Sequence, residues 1–156
     1  MGQEIERKFL IHHDKWEQIE KPAGKTLKQG YILTDPHKTI RVRTTDNKAW
    51  LTIKGISTGA TRLEYEYEIP LSEAIELLDN FSDTALEKVR YEIIYAGKTW
   101  EIDVFSGDNL GLVVAEIELE SEDEYFDLPT WVSTEITSDQ RYYNSNLTKH
   151  PFKDWQ

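Results

Sequence analysis

From Thr39 to Thr45 the chain alternates cleanly, with Ile40 and Val42 on one side and Arg41 and Arg43 on the other. Neighbours two apart in a strand point the same way, so this period of two predicts a strand with one apolar and one charged face. The pattern recurs along the chain. Glu4, Glu6 and Lys8 share a face, with Ile5, Phe9 and Ile11 turned mostly the other way. Thr26 to Thr34 reads as a second strand with Gln29, Tyr31 and Leu33 on one face, and Ala49, Leu51 and Ile53 oppose Trp50, Thr52 and Lys54. The most regular run sets Leu63, Tyr65, Tyr67 and Ile69 against Arg62, Glu64, Glu66 and Glu68 until Pro70 stops it. Ala85 to Tyr95 places Lys88 and Arg90 opposite Val89, Tyr91 and Ile93. After a hairpin at Gly97, Trp100, Ile102 and Val104 oppose Glu101 and Asp103. Leu112 to Glu120 then sets Val113, Ala115, Ile117 and Leu119 against Val114, Glu116, Glu118 and Glu120.

Helical spacing is rarer. Asp14 can cap a short helix through Trp16 and Ile19, and Ser72 one that aligns Ala74, Ile75, Leu78 and Phe81. Thr134 to Ile136 reads as a short strand, and Asp139 can cap a final helix through Tyr142, Tyr143 and Leu147. The expected fold is mainly β: about eight hairpin-connected antiparallel strands closing on themselves with a few helices packed outside, as one domain over residues 1–156, the charged faces either meeting water as in a sandwich or lining the polar inside of a barrel.

Composition narrows the chemistry. There is no cysteine, which excludes disulfides and thiolate metal sites and suits a reducing compartment. No leader-like segment and no apolar run of about 18 residues stands out, so a cytoplasmic protein with no membrane partner is expected. A net charge of −11 argues against nucleic acid as the partner, although it leaves room for a local basic pocket. His12, His13, His37 and His150 show no metal-binding spacing and read as exposed loop residues. Glu122, Asp123 and Glu124 read as a solvated turn.

The charged faces are sorted by sign. Acids gather at Glu4/Glu6, Glu64/Glu66/Glu68 and Glu116/Glu118, and bases at Arg41/Arg43, Lys54 and Lys88/Arg90. Like charges on one strand face repel, so a solvated sheet usually interleaves them. Segregated blocks facing one way suit a site that takes both a divalent cation and a polyanion.

In order, Glu4-Ile5-Glu6-Arg7-Lys8-Phe9, Gln29-Gly30-Tyr31, Arg41-Val42-Arg43, Leu51-Thr52-Ile53-Lys54-Gly55 and Glu64-Tyr65-Glu66 resemble the CYTH, or triphosphate tunnel metalloenzyme, family. The series continues through Lys88-Val89-Arg90-Tyr91, Ile102-Asp103-Val104-Phe105, Ala115-Glu116-Ile117-Glu118-Leu119 and Asp139-Gln140-Arg141-Tyr142. Two departures, no glycine directly before Glu135 and Gln140 where many relatives carry proline, leave the charged positions untouched.

The resemblance implies an eight-stranded tunnel that binds triphosphate compounds with Mg²⁺ or Mn²⁺, cations suited to oxygen-only ligands. It implies Glu4, Glu6, Glu116 and Glu118 as metal ligands, with Glu64, Glu66 and Asp103 serving a second metal or orienting its water. Lys8, Arg41, Arg43, Lys54, Lys88 and Arg90 would grip phosphate oxygens, while Lys8, Glu64, Glu66 and Tyr31 would serve catalysis, Tyr31 by hydrogen bonding Lys8. The leading expectation is hydrolysis of inorganic triphosphate, a small-molecule substrate. The alternatives are a class IV-type adenylate cyclase, a thiamine triphosphatase or a non-catalytic sensor. Trp50 could stack on a base or thiazole ring, Arg62 and Glu68 fall near strand ends, and a homodimer is compatible with all of this.

Overall fold

The structure, a computed structural model, describes residues 2–155 and bears out the barrel. Nine strands form among the described residues: β1 (Gln3–Ile11), β2 (Lys25–Asp35), β3 (Lys38–Thr44), β4 (Ala49–Gly55), β5 (Thr61–Ile69), β6 (Thr84–Tyr95), β7 (Lys98–Phe105), β8 (Val113–Glu118) and β9 (Val132–Glu135). The first eight pair antiparallel in the order β5-β4-β3-β2-β6-β7-β8-β1. Pairing of Gln3, Glu4 and Ile5 with Leu63, Arg62 and Thr61 returns β1 to β5 and closes the sheet, which removes its free edges. β9 is the extra strand, paired with the far end of β1 around Phe9 and Ile11. The β6–β7 hairpin turns through Ala96 and Gly97, both at positive φ (49° and 79°), the backbone a two-residue primed turn requires.

Outward-facing apolar residues are covered in two places. Phe9, Trp100, Ile102, Ala115 and Ile117 pack under Trp16 of α1 (His13–Gln18) and under Trp131, which follows a long connection. α2 (Leu71–Phe81) lays Ala74, Leu77 and Leu78 over Val42, Ala49 and Leu51. Neither helix starts as the sequence suggested. His12 and Pro70 occupy the N-cap positions, and neither helix has a side-chain cap. Proline's fixed φ suits the entry to α2's first turn, although it supplies no acceptor for the free N–H groups there.

The inner face changes character along each strand. On β1 it runs Glu4, Glu6, Lys8, then Leu10, and on β8 from Glu118 and Glu116 back to Val114. On β7 it runs Glu101, Asp103, then Phe105, and on β6 from Arg90 and Lys88 back to Leu86. The apolar ends meet: Leu86, Phe105, Leu112 and Val114 form one cluster with Ile136, Tyr142 and Leu147 of the C-terminal segment. That segment is not the single helix expected after Asp139. A 3-10 turn (Gln140–Tyr142), which Asp139 does cap, is followed by the short α3 (Asn144–Leu147) and a second turn (Phe152–Asp154). It plugs one end of the barrel, so the charged tunnel is closed there. No helix among the described residues is long and apolar enough to cross a membrane.

Candidate active site

Above the plug the barrel encloses a cavity of about 190 Å³. Its lining contains Glu4, Glu6, Lys8, Arg41, Arg43 and Lys54 from β1, β3 and β4, and Glu64, Glu66, Lys88, Arg90, Glu116 and Glu118 from β5, β6 and β8. Glu101 and Asn144 complete it. The strand alternation brings all but Asn144 together: each lies on the face opposite the outer apolar residues, and barrel closure turns that face inward. Of the residues to which the resemblance gave metal, phosphate or catalytic roles, all but Tyr31 and Asp103 line this space.

The acids and bases interlock around it. Lys54 lies 3.2 Å from Glu4 and 3.3 Å from Glu64. Arg41 donates to Thr52 Oγ1 (3.1 Å) and Glu66 (3.4 Å), and its Nε is buried with no protein partner. A buried guanidinium N–H left unpaired is costly unless a ligand satisfies it, and an anion would. Arg43 donates its Nε to Gln29 (2.8 Å), and burial together with Arg41 and Arg90 pushes it down to about 9. Lys8 sits 3.9 Å from both Glu6 and Glu116. Burial works against its charge, yet these carboxylates and Glu4 raise it.

Asp103 departs from the expected metal-ligand role. It is fully buried and lies outside the cavity lining, with Oδ1 accepting from Arg90 Nε (2.7 Å) and Oδ2 from Lys88 Nζ (2.7 Å) and Arg90 (2.9 Å). Burial alone would raise its carboxyl, but Arg90 and Lys88 hold it well below the usual carboxylate range. Asp103 therefore aims two cations. Burial pushes the Lys88 ammonium down, with Arg90 and Arg43 adding to the effect against the pull of Asp103. Tyr31 departs as well: its hydroxyl accepts a long bond from Gln29 (3.4 Å), while the ring over Lys8 belongs to Tyr143, 5.4 Å away.

Glu101 is the residue the sequence reading missed. Oxygens of Glu6, Glu101 and Glu116 lie within 4.8 Å of one another, the one such set of three acids among the described residues. The signal was available, since Glu101 shares a face with Asp103 and pairs across the strands with Glu116. Burial, with Glu6 adding to it, raises the Glu116 carboxyl. Burial also raises Glu101, with Glu116 and Asp103 adding to it against Arg90. Three hard oxygen donors converging on one point fit Mg²⁺ or Mn²⁺, whose charge would relieve this crowding. Glu4, Glu64 and Glu118 form a looser group near Lys54. Burial first, then Glu4 and Glu64, raise Glu118 there.

Trp50 and Glu68 pair across β4 and β5 outside the cavity lining, and Arg62 donates to the Gly55 carbonyl (3.1 and 2.9 Å). The four histidines are exposed, as expected, although His13 opens α1 and does not lie in a loop. Glu122, though exposed, ties down the loop before β5 by accepting from Ala60 N and Thr61 Oγ1.

Comparison with known proteins agrees with this geometry. The family model of the CYTH domain matches residues 2–151. A protein of Acetivibrio thermocellus named inorganic triphosphatase is 48% identical over 157 residues, spanning all of this chain and 99% of its own length. A second protein of that name, from Nitrosomonas europaea, is 35% identical over 92% of this chain and 95% of its own length. The crystal structure of an inorganic triphosphatase superposes with a TM-score of 0.64 at 32% identity, covering 95% of each chain.

Proposed function

Since the chain belongs to the CYTH domain family, we propose that it hydrolyses inorganic triphosphate to pyrophosphate and orthophosphate with the help of a divalent cation. One observation carries the choice of substrate. Every residue lining the cavity is charged except Asn144, and no aromatic or aliphatic side chain is among them. A nucleobase or a thiazole ring would find no aromatic or apolar wall there to pack against, whereas a ligand that is charged along its whole length finds partners throughout. Trp50, which could have served a ring, stands outside the lining.

Phosphoryl transfer needs positioning and charge neutralisation more than covalent chemistry. Lys8, Arg41, Arg43, Lys54, Lys88 and Arg90 surround the space where the phosphate chain would lie, and the unpaired Arg41 Nε is a donor ready for a phosphate oxygen. Glu64 and Glu66 hold Lys54 and Arg41 in position, and Asp103 does the same for Lys88 and Arg90. Glu6, Glu101 and Glu116 would hold Mg²⁺ or Mn²⁺, with Glu4 and Glu118 close by; the bound cation would supply charge neutralisation and a more acidic water. Water adds to the terminal phosphorus as the bridging P–O bond breaks; pyrophosphate leaves with the bridging oxygen, and the proton of the attacking water passes to solvent as orthophosphate forms. Lys8, buried and kept charged by three carboxylates, faces the charge that develops on the departing oxygen.

The test gives purified protein tripolyphosphate, ATP and thiamine triphosphate in parallel with Mg²⁺ or Mn²⁺, followed by product analysis. Pyrophosphate and orthophosphate from tripolyphosphate, with far slower turnover of the other two, is the expected result. Cyclic AMP from ATP with tripolyphosphate untouched would overturn the reading in favour of a cyclase.

A further inference from the structure

The C-terminal segment does more than plug the barrel. Where Tyr142 turns down into the apolar cluster, its neighbours Tyr143 and Asn144 turn the other way, toward the charged space. Asn144 Oδ1 accepts from Lys88 Nζ at 2.9 Å and forms part of the cavity wall. The Tyr143 ring lies under two cations, 5.4 Å from Lys8 Nζ and 5.8 Å from Arg62 Cζ. Two narrow spaces of about 30 and 20 Å³ flank that ring. The first shares Lys8, Arg41 and Lys54 with the main cavity, and the second shares Glu4, Glu6 and Lys8 with it and reaches the exposed loop at Ser57 and Gly59. Arg62 borders both. A path that carries Lys8, Arg41, Lys54 and Arg62, with Glu4 and Glu6 on one side, thus continues beyond the cavity, and the Tyr143 ring stands in it.

We infer that Tyr143, seated beside Asn144, is the floor of a blind cup and limits the length of phosphate chain the site accepts. This rests on the triphosphate reading above. A linear polyphosphate enters by the open end, near the partly exposed Glu66 and Glu101 (side chains 39% and 35% exposed), and its leading phosphate stops at the ring. A longer chain must leave its extra phosphates outside the ring of bases or shift the scissile bond away from the carboxylates. Either shift removes contacts made at the reacting phosphorus, and small misplacements there are costly. Removing the ring would join the two flanking spaces to the cavity and give one more phosphate a berth beside Arg62. Tyr143 is a specificity-determining residue in this account, and the reaction itself does not pass through it.

The experiment compares kcat/KM for tripolyphosphate, tetrapolyphosphate and long-chain polyphosphate in the wild type, Tyr143→Phe and Tyr143→Ala. The wild type should favour tripolyphosphate over tetrapolyphosphate. Tyr143→Ala should shrink that preference about tenfold or more, a change of about 1.4 kcal/mol in relative transition-state stabilisation. Tyr143→Phe keeps the ring and should keep the preference. Should Tyr143→Ala fail to fold, Tyr143→Leu retains apolar bulk without the ring's reach and should shift the preference the same way. A wild type that cleaves tetrapolyphosphate as readily as tripolyphosphate overturns the inference, as does an unchanged ratio in the truncated variants. A wild type inert toward tripolyphosphate instead overturns the proposed function, so the two failures are distinguishable.

Discussion

Asp103 and Glu116 are both buried acids on neighbouring strands, and their surroundings give them opposite signs of contribution to stability. Asp103 exchanges close hydrogen bonds with two cations, so its charge stabilises the fold. Glu116 is set 3.9 Å from Lys8 and 3.5 Å from Arg90, and burial beside Glu6 makes its charge unfavourable. Asp103→Asn should therefore destabilise the metal-free protein by about 3–5 kcal/mol, because it leaves Lys88 and Arg90 buried without their counter-charge. Glu116→Gln should do the reverse and raise the melting temperature at neutral pH. The sign follows from linkage. An acid whose folded pKa is raised binds more protons in the folded state, so stability is lost as pH climbs through the window above the ordinary 4.5. The gain from Glu116→Gln should accordingly grow as the pH rises above 4.5 and vanish well below it, where the carboxyl is protonated in both states. Thermal denaturation across that range checks both variants, and a Glu116→Gln protein less stable than wild type at pH 7 would refute the assignment of its charge as strained.

At the scale of elements, the plug couples the C-terminal segment to the barrel. Leu147 is fully buried against the lower inner face, and Asn109 joins the same seam by donating to the Leu147 carbonyl (3.4 Å) and accepting from Phe152 N (2.9 Å). Leu147→Ala should cost about 2–5 kcal/mol, read from the denaturant midpoint, since the rigid barrel floor cannot collapse into the space. It should also loosen α3 and with it the Asn144 contact to Lys88. The strands were legible in the sequence because they carry one apolar and one charged face, as in Ala115 to Glu118, where Ala115 and Ile117 are buried in the outer core. The C-terminal segment was less so. Tyr142 and Tyr143 are adjacent and chemically alike, and only the turn after Asp139 decides that one enters the plug and the other the narrow spaces beside Lys8. Glu101 and Asp103 teach a related lesson. Alternation reports which face a side chain takes but not its height in the barrel, and height separates a cavity acid from one locked beneath Lys88 and Arg90.

The whole molecule carries a charge of −11, yet the cavity lining sets seven carboxylates against six cations and is nearly balanced. That balance has a consequence for binding. A tripolyphosphate entering alone would leave the cavity strongly negative, and a divalent cation entering alone would add charge beside six bases. Each ligand supplies what the other lacks, so their binding must be mutually favourable. A coupling of about 1–3 kcal/mol, or roughly 5–150-fold in affinity, is the ordinary range for such linkage. Calorimetric titration of tripolyphosphate should give a Kd tightened by a factor in that range when Ca²⁺, a cation chosen to hold the substrate without rapid turnover, is present. Titration of Ca²⁺ should tighten by the same factor when tripolyphosphate is present, because the coupling is reciprocal. With both bound at a hundred times their dissociation constants, the folded state should gain at least about 2.7 kcal/mol, visible as a higher melting temperature. Glu101→Gln should weaken the cation's effect on tripolyphosphate binding, since it removes one of the three converging carboxylates. Equal affinities with and without the cation would show that the acids of the cavity serve only to hold its bases in place.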